Sequence, residues 1–254
     1  MQTDASDFHM SRNLLRYHSL AALAALVLAA CSPKGDPQQT PSQGGEPTAA
    51  PPKSSGIENL SGAWATRDDQ GQPFDVILFP NGQAVSTWTK GPSGPRGERG
   101  FWREIEGVAY VFFDDGWTDR IRRVGGVTTH EGFAPASSLS EAPTNSAPTE
   151  RVEGDAAVFV GIWRLNREPD GSYLYLTLQS QGAAFSTING LTEGRWEVVD
   201  DTARVSWPDG WVDSIERSSG AWQKRSWVGA AAAGTPADLS EAKRVGETAF
   251  EVAP

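Results

Sequence analysis

The sequence predicts an all-β protein made of two tandem homologous modules. The segment 115–123 (Asp-Gly-Trp-Thr-Asp-Arg-Ile-Arg-Arg) recurs at 209–217 (Asp-Gly-Trp-Val-Asp-Ser-Ile-Glu-Arg), within a duplication that covers most of the chain. In both copies apolar residues occupy alternate positions, and Asn-Gly or Asp-Gly dipeptides recur between the alternating runs. Alternate side chains of a strand point to opposite faces, and these dipeptides suit tight hairpin turns. The pattern therefore predicts antiparallel meanders, each forming a small barrel or a sandwich.

The two modules can be matched motif by motif. Each opens with Gly-x-Trp, at Gly62 and at Gly161, and each is followed by a trailing Leu-Ser-Glu-Ala, at 139–142 and at 239–242. The repeat is too long for a solenoid unit, so it indicates two domains. The predicted ranges are 58–134 for the first module, 135–157 for a linker rich in Pro, Ala, Ser and Thr, and 158–254 for the second module.

Matched apolar positions are expected to form the buried face of each module, because they keep the same parity along their strands. No segment inside either module has the apolar spacing of an amphipathic helix. The matched positions are Phe74, Val76, Leu78, Ala109, Val111 and Phe113 in the first copy, and Leu174, Leu176, Leu178, Ala203, Val205 and Trp207 in the second.

The ten tryptophans of the chain all lie within the modules. Three pairs recur in both copies and are interpreted as core anchors: Trp64 with Trp163, Trp102 with Trp196, and Trp117 with Trp211. Trp88, Trp222 and Trp227 have no tryptophan counterpart. Exposed aromatic side chains often mark binding sites, so these three define a candidate surface for a sugar or a partner protein; ordinary packing is the alternative.

The repeated segment predicts a buried ion pair in each module. In the first copy Asp119 and Arg123 share their parity with Trp117 and Ile121, and the second copy repeats this face. Burying an unpaired charge is expensive, so we expect an internal Asp–Arg latch. A polar lining for a ligand pocket is the alternative. The predicted latch residues are Asp119, Arg123, Asp213 and Arg217.

The N-terminal region has the pattern of an export signal. A basic segment precedes an apolar run that is too short to span a bilayer and that ends in Leu-Ala-Ala-Cys at Cys31. This motif resembles the lipobox of bacterial lipoproteins, and the resemblance implies cleavage before Cys31 and lipid attachment to its thiol. Residues 1–30 are then a signal peptide, with Met10 as the expected start. Ser32 implies the outer membrane in a Gram-negative host, with the cytoplasmic membrane as the alternative.

Residues 31–57 are expected to form a flexible tether after the lipidated cysteine. Their Pro-, Gln-, Ser-, Thr- and Gly-rich composition cannot bury enough apolar surface to offset the entropy of ordering. The formal net charge of the chain is −10. An acidic chain without a basic stripe argues against nucleic acid and against direct binding to anionic headgroups, so the membrane contact is assigned to the lipid.

The sequence carries no recognisable catalytic pattern. His130 is the only histidine after the signal, it has no neighbouring nucleophile motif, and a solvated surface position is the simplest expectation for it. Cys31 is the only cysteine, which excludes the usual Cys/His zinc sites. The aspartates near Asp115 do not have EF-hand spacing, and a hairpin turn explains them. We therefore expect no enzyme, no metal and no cofactor.

The Gly-x-Trp openings at Gly62 and Gly161, followed by an antiparallel meander, resemble the start of lipocalin- and avidin-type barrels. This resemblance implies a barrel and covers no other signature. The sequence thus indicates a lipid-anchored cell-envelope protein that acts as a binding or structural module, in contact with an envelope glycan or protein. A glycan-binding or glycan-acting protein and a carrier of small apolar molecules are the alternatives.

Overall fold

The computed structural model describes residues 59–91, 93–167, 171–188, 191–229 and 234–248. The predicted signal peptide, Cys31 and the whole of the predicted tether lie outside these ranges. The described part is nearly all β and forms two antiparallel sheets, each of nine strands and each nearly closed into a barrel. The predicted all-β fold with two tandem meander modules is confirmed. No helix within these ranges is long and apolar enough to span a bilayer.

The first barrel is a meander in which each of the first eight strands pairs with its neighbours along the chain, and the ninth strand pairs with the first. A short 3-10 turn, Gly94–Arg96, lies in the connection between its third and fourth strands. The strands are β1 Gly62–Arg67, β2 Pro73–Leu78, β3 Gln83–Ser86, β4 Glu98–Ile105, β5 Val108–Phe113, β6 Thr118–Val124, β7 Val127–Phe133, β8 Asn145–Pro148 and β9 Glu150–Arg151.

The second barrel repeats this order after a single helical turn, α1 Ala156–Phe159. Its strands are β10 Gly161–Arg167, β11 Tyr173–Leu178, β12 Ala183–Ser186, β13 Thr192–Val199, β14 Thr202–Ser206, β15 Trp211–Ser218, β16 Ala221–Val228, β17 Asp238–Glu241 and β18 Lys243–Arg244.

Each barrel is closed by one stretch of chain that pairs with both edges of the meander. Strand β8 pairs with β7 and strand β9 pairs with β1, and only Thr149 separates β8 from β9. The Thr149 amide donates to the Thr128 carbonyl at 2.9 Å, and its hydroxyl donates to the Ala65 carbonyl at 2.8 Å. Strands β17 and β18 make the same connection between β16 and β10. The barrel alternative is therefore the correct one.

The structure corrects two details of the sequence alignment. Residues 145–151, inside the predicted linker 135–157, form strands of the first sheet. The register also pairs Trp64 with Arg151 and Trp163 with Arg244, so 147–151 correspond to 240–244. The trailing Leu-Ser-Glu-Ala motifs are not equivalent, because 139–142 lie in the β7–β8 connection whereas 239–242 lie in the closing stretch. Small and polar residues suggested a linker but are equally compatible with a closing strand.

One end of each barrel is sealed by the Gly-x-Trp motif. The Trp64 indole donates to the Leu60 carbonyl at 2.8 Å, and the Trp163 indole donates to the Phe159 carbonyl at 2.9 Å. The Arg151 guanidinium lies over the Trp64 ring at 5.2 Å and donates to backbone carbonyls of the entering chain. Gly62 has a φ of 134°, which favours glycine, and a Cβ there would also lie 3.0 Å from this guanidinium.

The two barrels share a buried contact. Ile77, Phe79 and Val85, on the outer face of β2 and β3, belong to the apolar cluster that is otherwise formed mainly by the second barrel. Gly97 has a φ of 59°, and a Cβ there would lie 2.1 Å from the Ile162 side chain, so the approach is close. Apolar burial of this kind is the main stabilising term in domain association.

A carboxyl group is buried in this contact between the barrels. Asp75 is fully buried, and its Oδ2 accepts a bond of 2.9 Å from the Ser180 amide and one of 3.4 Å from the Thr87 hydroxyl. Burial raises the pKa of Asp75 to about 6, and these hydrogen bonds only partly oppose that effect.

Candidate functional site

The end of the first barrel opposite its Gly-x-Trp seal contains a cavity of about 270 Å³, which we call the first cavity. It lies where the β1–β2, β3–β4, β5–β6 and β7–β8 connections meet, because alternate strands of a meander end on the same side. Its lining combines aromatic rings with carboxylates. The aromatic residues are Phe74, Trp88, Phe113 and Trp117, and the acidic residues are Asp68, Asp69, Glu98, Asp115 and Asp119.

The floor of the first cavity is a buried Asp–His pair. Nε2 of His130 lies 2.8 Å from Oδ2 of Asp119, and the two residues are 1% and 6% exposed. The predicted latch with Arg123 is wrong: Arg123 is exposed and donates to the Gly126 carbonyl at the β6–β7 turn. Asp119 instead contacts His130, an inward residue of the adjacent strand β7 that lies diagonally opposite Asp119 in the register.

The position of His130 also differs from the surface site expected from the sequence. It pairs with Ile121, an inward position of β6, so its side chain points into the barrel. Its ring packs edge-on against Phe74, with centroids 5.5 Å apart. Nδ1 of His130 is buried without a hydrogen-bond partner in the described part of the chain. The register opposite Ile121 is the signal that would have placed this histidine inside.

Glu98 is a second buried acid in the wall of the first cavity, at the start of β4. It is 5% exposed and accepts from Ser93, whose amide lies 3.4 Å and whose hydroxyl lies 3.2 Å from the carboxylate. Burial raises the pKa of Glu98; the Ser93 bonds oppose this, whereas the negative charges of Asp115 and Asp114 add to it. Ser93 lies in the β3–β4 connection, which is longer than the equivalent β12–β13 connection of the second barrel and which the sequence pattern did not connect with a site.

Asp68 is the acid at the rim of the first cavity. Burial is the largest single effect on its pKa and raises it, but hydrogen bonds from the backbone of Gln72 and Gln70, the Trp88 indole and Lys90 together outweigh burial, so the net pKa is lowered. Lys90 Nζ lies 3.4 Å from the carboxylate and is half exposed. Asp68 is thus ionised at neutral pH.

The second barrel has an equivalent cavity of about 320 Å³, the second cavity. Its floor holds Lys224 in the place of His130. Lys224 Nζ lies 3.4 Å from both Asp213 and Asp238 and donates to the Ser226 hydroxyl. The Trp207 indole donates to the other oxygen of Asp213 at 2.8 Å. The second cavity thus contains its own buried ammonium group.

The predicted latch of the second barrel is also corrected. Arg217 is exposed, lies 4.6 Å over the Trp222 ring and approaches Glu247 at 3.7 Å, whereas Asp213 pairs with Lys224. The alternation predicted an inward Asp213, and its partner is the next inward residue of β16. Arg217 was predicted as the partner because it shares its parity with Asp213 along β15. It lies near the end of that strand, where its side chain is exposed to solvent.

The three unmatched tryptophans do not share one surface. Trp88 lines the first cavity, and its indole lies 3.5 Å from Asp68. Trp222 packs edge-on against Trp163 and Phe159, at centroid distances of 4.9 and 5.8 Å. Trp227 is half-buried and donates to the Gly234 carbonyl at 3.3 Å. Only Trp88 therefore belongs to the candidate site.

The recurrent tryptophans separate into two classes. Trp64 and Trp163 are buried, and the Trp102 and Trp196 indoles each donate at 2.7 Å to a backbone carbonyl of the preceding β2–β3 or β11–β12 turn. The remaining pair, Trp117 and Trp211, lies at the cavity mouths, and Trp211 is 36% exposed. The interpretation as a core anchor is wrong for Trp211, whereas Trp117 is partly buried and also packs against the apolar core of the first barrel.

Among the described residues no group of three or more His, Cys, Asp or Glu side chains is arranged to hold a metal ion. Comparisons with protein-family models, with curated proteins and with solved structures found no significant match to this chain. The candidate site therefore stands on its own geometry: a half-open barrel cavity with an aromatic wall, acidic groups and a buried Asp–His floor.

Proposed function

We propose that this protein is a lipid-anchored envelope protein that binds a small organic ligand in the first cavity. The observation that carries the proposal is the open cavity of about 270 Å³, with aromatic walls and buried polar groups at its floor. Small-molecule sites are concave, mostly apolar and contain a few fixed polar groups. The volume is close to the lower end of such sites, which favours a ligand with few heavy atoms.

The first barrel is the stronger candidate of the two. Its floor presents an unpartnered Nδ1 of His130, and its wall presents the buried carboxylate of Glu98. In the second cavity Thr192 replaces Glu98, and the Lys224 ammonium is already held by Asp213, Asp238 and Ser226. A polar group that has no partner inside the protein gains more from a ligand than one that is already satisfied.

The experiment is native mass spectrometry of the full chain extracted from host envelopes. We expect a small adduct that is released on denaturation. Gly132→Leu should abolish the adduct by filling the first cavity, because a Cβ at Gly132 is 3.4 Å from Asp119 Oδ1 and the φ there is not positive. Gly132→Ser, which carries the residue found at Ser226, is the matched control. Wild-type protein without any adduct would contradict the proposal.

The anchor is the second part of the proposal, and the lipobox ending at Cys31 supports it. Globomycin, which blocks processing of lipidated precursors, should cause the uncleaved chain to accumulate. A Cys31→Ser variant should lose its partition into detergent. Normal processing and partition of that variant would show that the chain is not lipid-anchored, and this result would leave the ligand cavity untouched.

Glycan binding is the second candidate function, and an aromatic pair on the outer face of the first barrel favours it. Phe101 is 57% exposed and stacks on Phe112 with ring centroids 5.1 Å apart, and Arg103 covers the other ring at 5.3 Å. Sugars stack on exposed aromatic faces of this kind. Retention of the full chain on peptidoglycan, lost in Phe101→Ala and kept in Leu191→Ala, would support this function.

A further inference from the structure

We propose that the ligand of the first cavity is an organic cation, a small quaternary or alkylated ammonium group held by the cavity's aromatic rings and carboxylates. This inference rests on the proposed ligand cavity and specifies its chemical class. It is carried by the charges of the lining, by the arrangement of the rings and by a comparison with the second cavity.

The lining charges of the first cavity are predominantly negative. It includes the carboxylates of Asp68, Asp69, Glu98, Asp115 and Asp119, and none of the described residues in the lining is Lys or Arg. Lys90 approaches Asp68 from the rim, half exposed, and His130 faces Asp119. An anionic ligand would be repelled by such a wall, and a neutral one would supply no countercharge to the buried Glu98 carboxylate, which has only the Ser93 hydrogen bonds.

The aromatic rings add a second attraction for a cation. Phe74, Trp88, Phe113 and Trp117 line the same cavity as the carboxylates. The faces of Trp and Phe attract an ammonium group, and the attraction strengthens when the site is shielded from water. Quaternary ammonium groups are recognised in proteins by aromatic cages, because they cannot donate hydrogen bonds and gain from ring faces instead.

The second barrel already contains an ammonium group at the corresponding depth. Lys224 Nζ lies 3.4 Å from Asp213, the counterpart of Asp119, and 3.4 Å from Asp238, the counterpart of Asn145. The first barrel keeps the aspartate but has His130, whose side chain is shorter than that of lysine. It also has Gly132 where Ser226 stands and the larger Trp88 where Ile188 stands. We infer that a ligand cation takes the place that the Lys224 ammonium fills in the second barrel.

Isothermal titration calorimetry of the full chain in a maltoside detergent tests the inference. The probes are choline and benzyltrimethylammonium, each compared with its neutral isostere, 3,3-dimethylbutan-1-ol and neopentylbenzene. We expect each cation to bind at least about tenfold more tightly than its isostere, since only the cation gains the charge and ring interactions. Equal affinities of cation and isostere would overturn the cation class and leave the ligand cavity standing.

Variants locate the binding. Glu98→Gln should weaken binding of the cations at least about fivefold while leaving the weak binding of the isosteres unchanged. Glu104→Gln, which removes an exposed carboxylate from the same strand, is the matched control and should bind like the wild type. Failure of both cations to bind overturns the inference, even where native mass spectrometry finds another adduct. Absence of both adduct and titration removes the cavity function as well.

Discussion

The two barrels have the same architecture but satisfy their interior charges differently. Asp119 and Asp213 occupy equivalent inward positions, yet one faces His130 and the other faces Lys224. A histidine can become neutral when it loses its partner, whereas a buried lysine must remain charged or release its proton at a high energetic cost. The inward aspartate of the second barrel therefore has a permanent countercharge within the chain, whereas that of the first barrel has none. The two copies share the same strand order but differ in the residues at the floor of each cavity.

The largest effect should come from removing the second floor carboxylate. Asp213→Asn leaves the Lys224 ammonium buried with only Ser226 and the half-exposed Asp238, and should cost about 3–5 kcal/mol of unfolding free energy. Asp119→Asn should cost about 1 kcal/mol, because an imidazole, unlike the Lys224 ammonium, carries no permanent charge that the change would leave unpaired. Urea unfolding of each variant measures both costs. Equal losses would show that the two floors are energetically alike, against the comparison above.

The next effect tests whether the barrels depend on each other. Gly246→Ala, just after β18 of the second barrel, places a Cβ 2.5 Å from the Phe79 ring of the first barrel and should cost about 3 kcal/mol. Gly220→Ala is the matched control, since its φ of 86° is nearly that of Gly246 at 89° but nothing lies within 4 Å. Only the backbone strain, about 1 kcal/mol, should remain there. Similar melting temperatures of the two variants would mean that the contact between the barrels is not tightly packed.

Asp75 gives a third, pH-dependent effect in the same contact. Its folded pKa of about 6 lies above the ordinary 3.8, so the folded state retains a proton that the unfolded chain has already released. The stability contributed by this group is therefore present below about pH 4 and lost as pH rises to about 6. Asp75→Asn, which resembles the protonated carboxyl, should be more stable than the wild type at pH 7, by up to about 3 kcal/mol.

Unfolding at pH 4 and at pH 7 measures this effect. The difference between Asp75→Asn and the wild type should be small at pH 4 and large at pH 7. Asp69→Asn, which removes an exposed carboxyl of the first cavity, serves as the control and should change little between the two pH values. A stability difference for Asp75→Asn that is the same at both pH values would contradict the raised pKa of Asp75.

The sequence was sufficient for the all-β class, the tandem meander and the inward face that carries Asp119 and Asp213, because strand alternation is a local pattern. It could not identify the partners of those aspartates. Diagonal neighbours on adjacent strands depend on register, and register depends on turns and closing strands that the composition of 135–157 concealed. The site likewise required His130, Glu98 and Trp88 to be brought together from three separate strands and loops.

The outward-facing residues of the repeated strands β6 and β15 also have partners that the sequence of one strand alone does not reveal. When the two strands are aligned, these outward-facing residues differ at every position. In the fold, however, Arg122 pairs with Glu131 at 2.8 Å, and Glu216 pairs with Arg225 at 2.8 Å. The two pairs occupy equivalent positions with the charges exchanged. A substitution that looks free in one strand is compensated on its neighbour, and a single strand cannot reveal this.

The smallest expected effects concern the arginines that the sequence assigned to a latch. Arg123 and Arg217 are exposed, and Arg217 makes only a loose contact of 3.7 Å with Glu247. Exposed ion pairs contribute little because water and salt screen them, so Arg123→Ala and Arg217→Ala should each change stability by about 0.5 kcal/mol or less. Arg217→Ala should be the larger of the two, since its guanidinium also covers Trp222 at 4.6 Å. A loss comparable to that of Asp213→Asn would restore the arginine latch and displace Lys224 as the partner that neutralises the second floor.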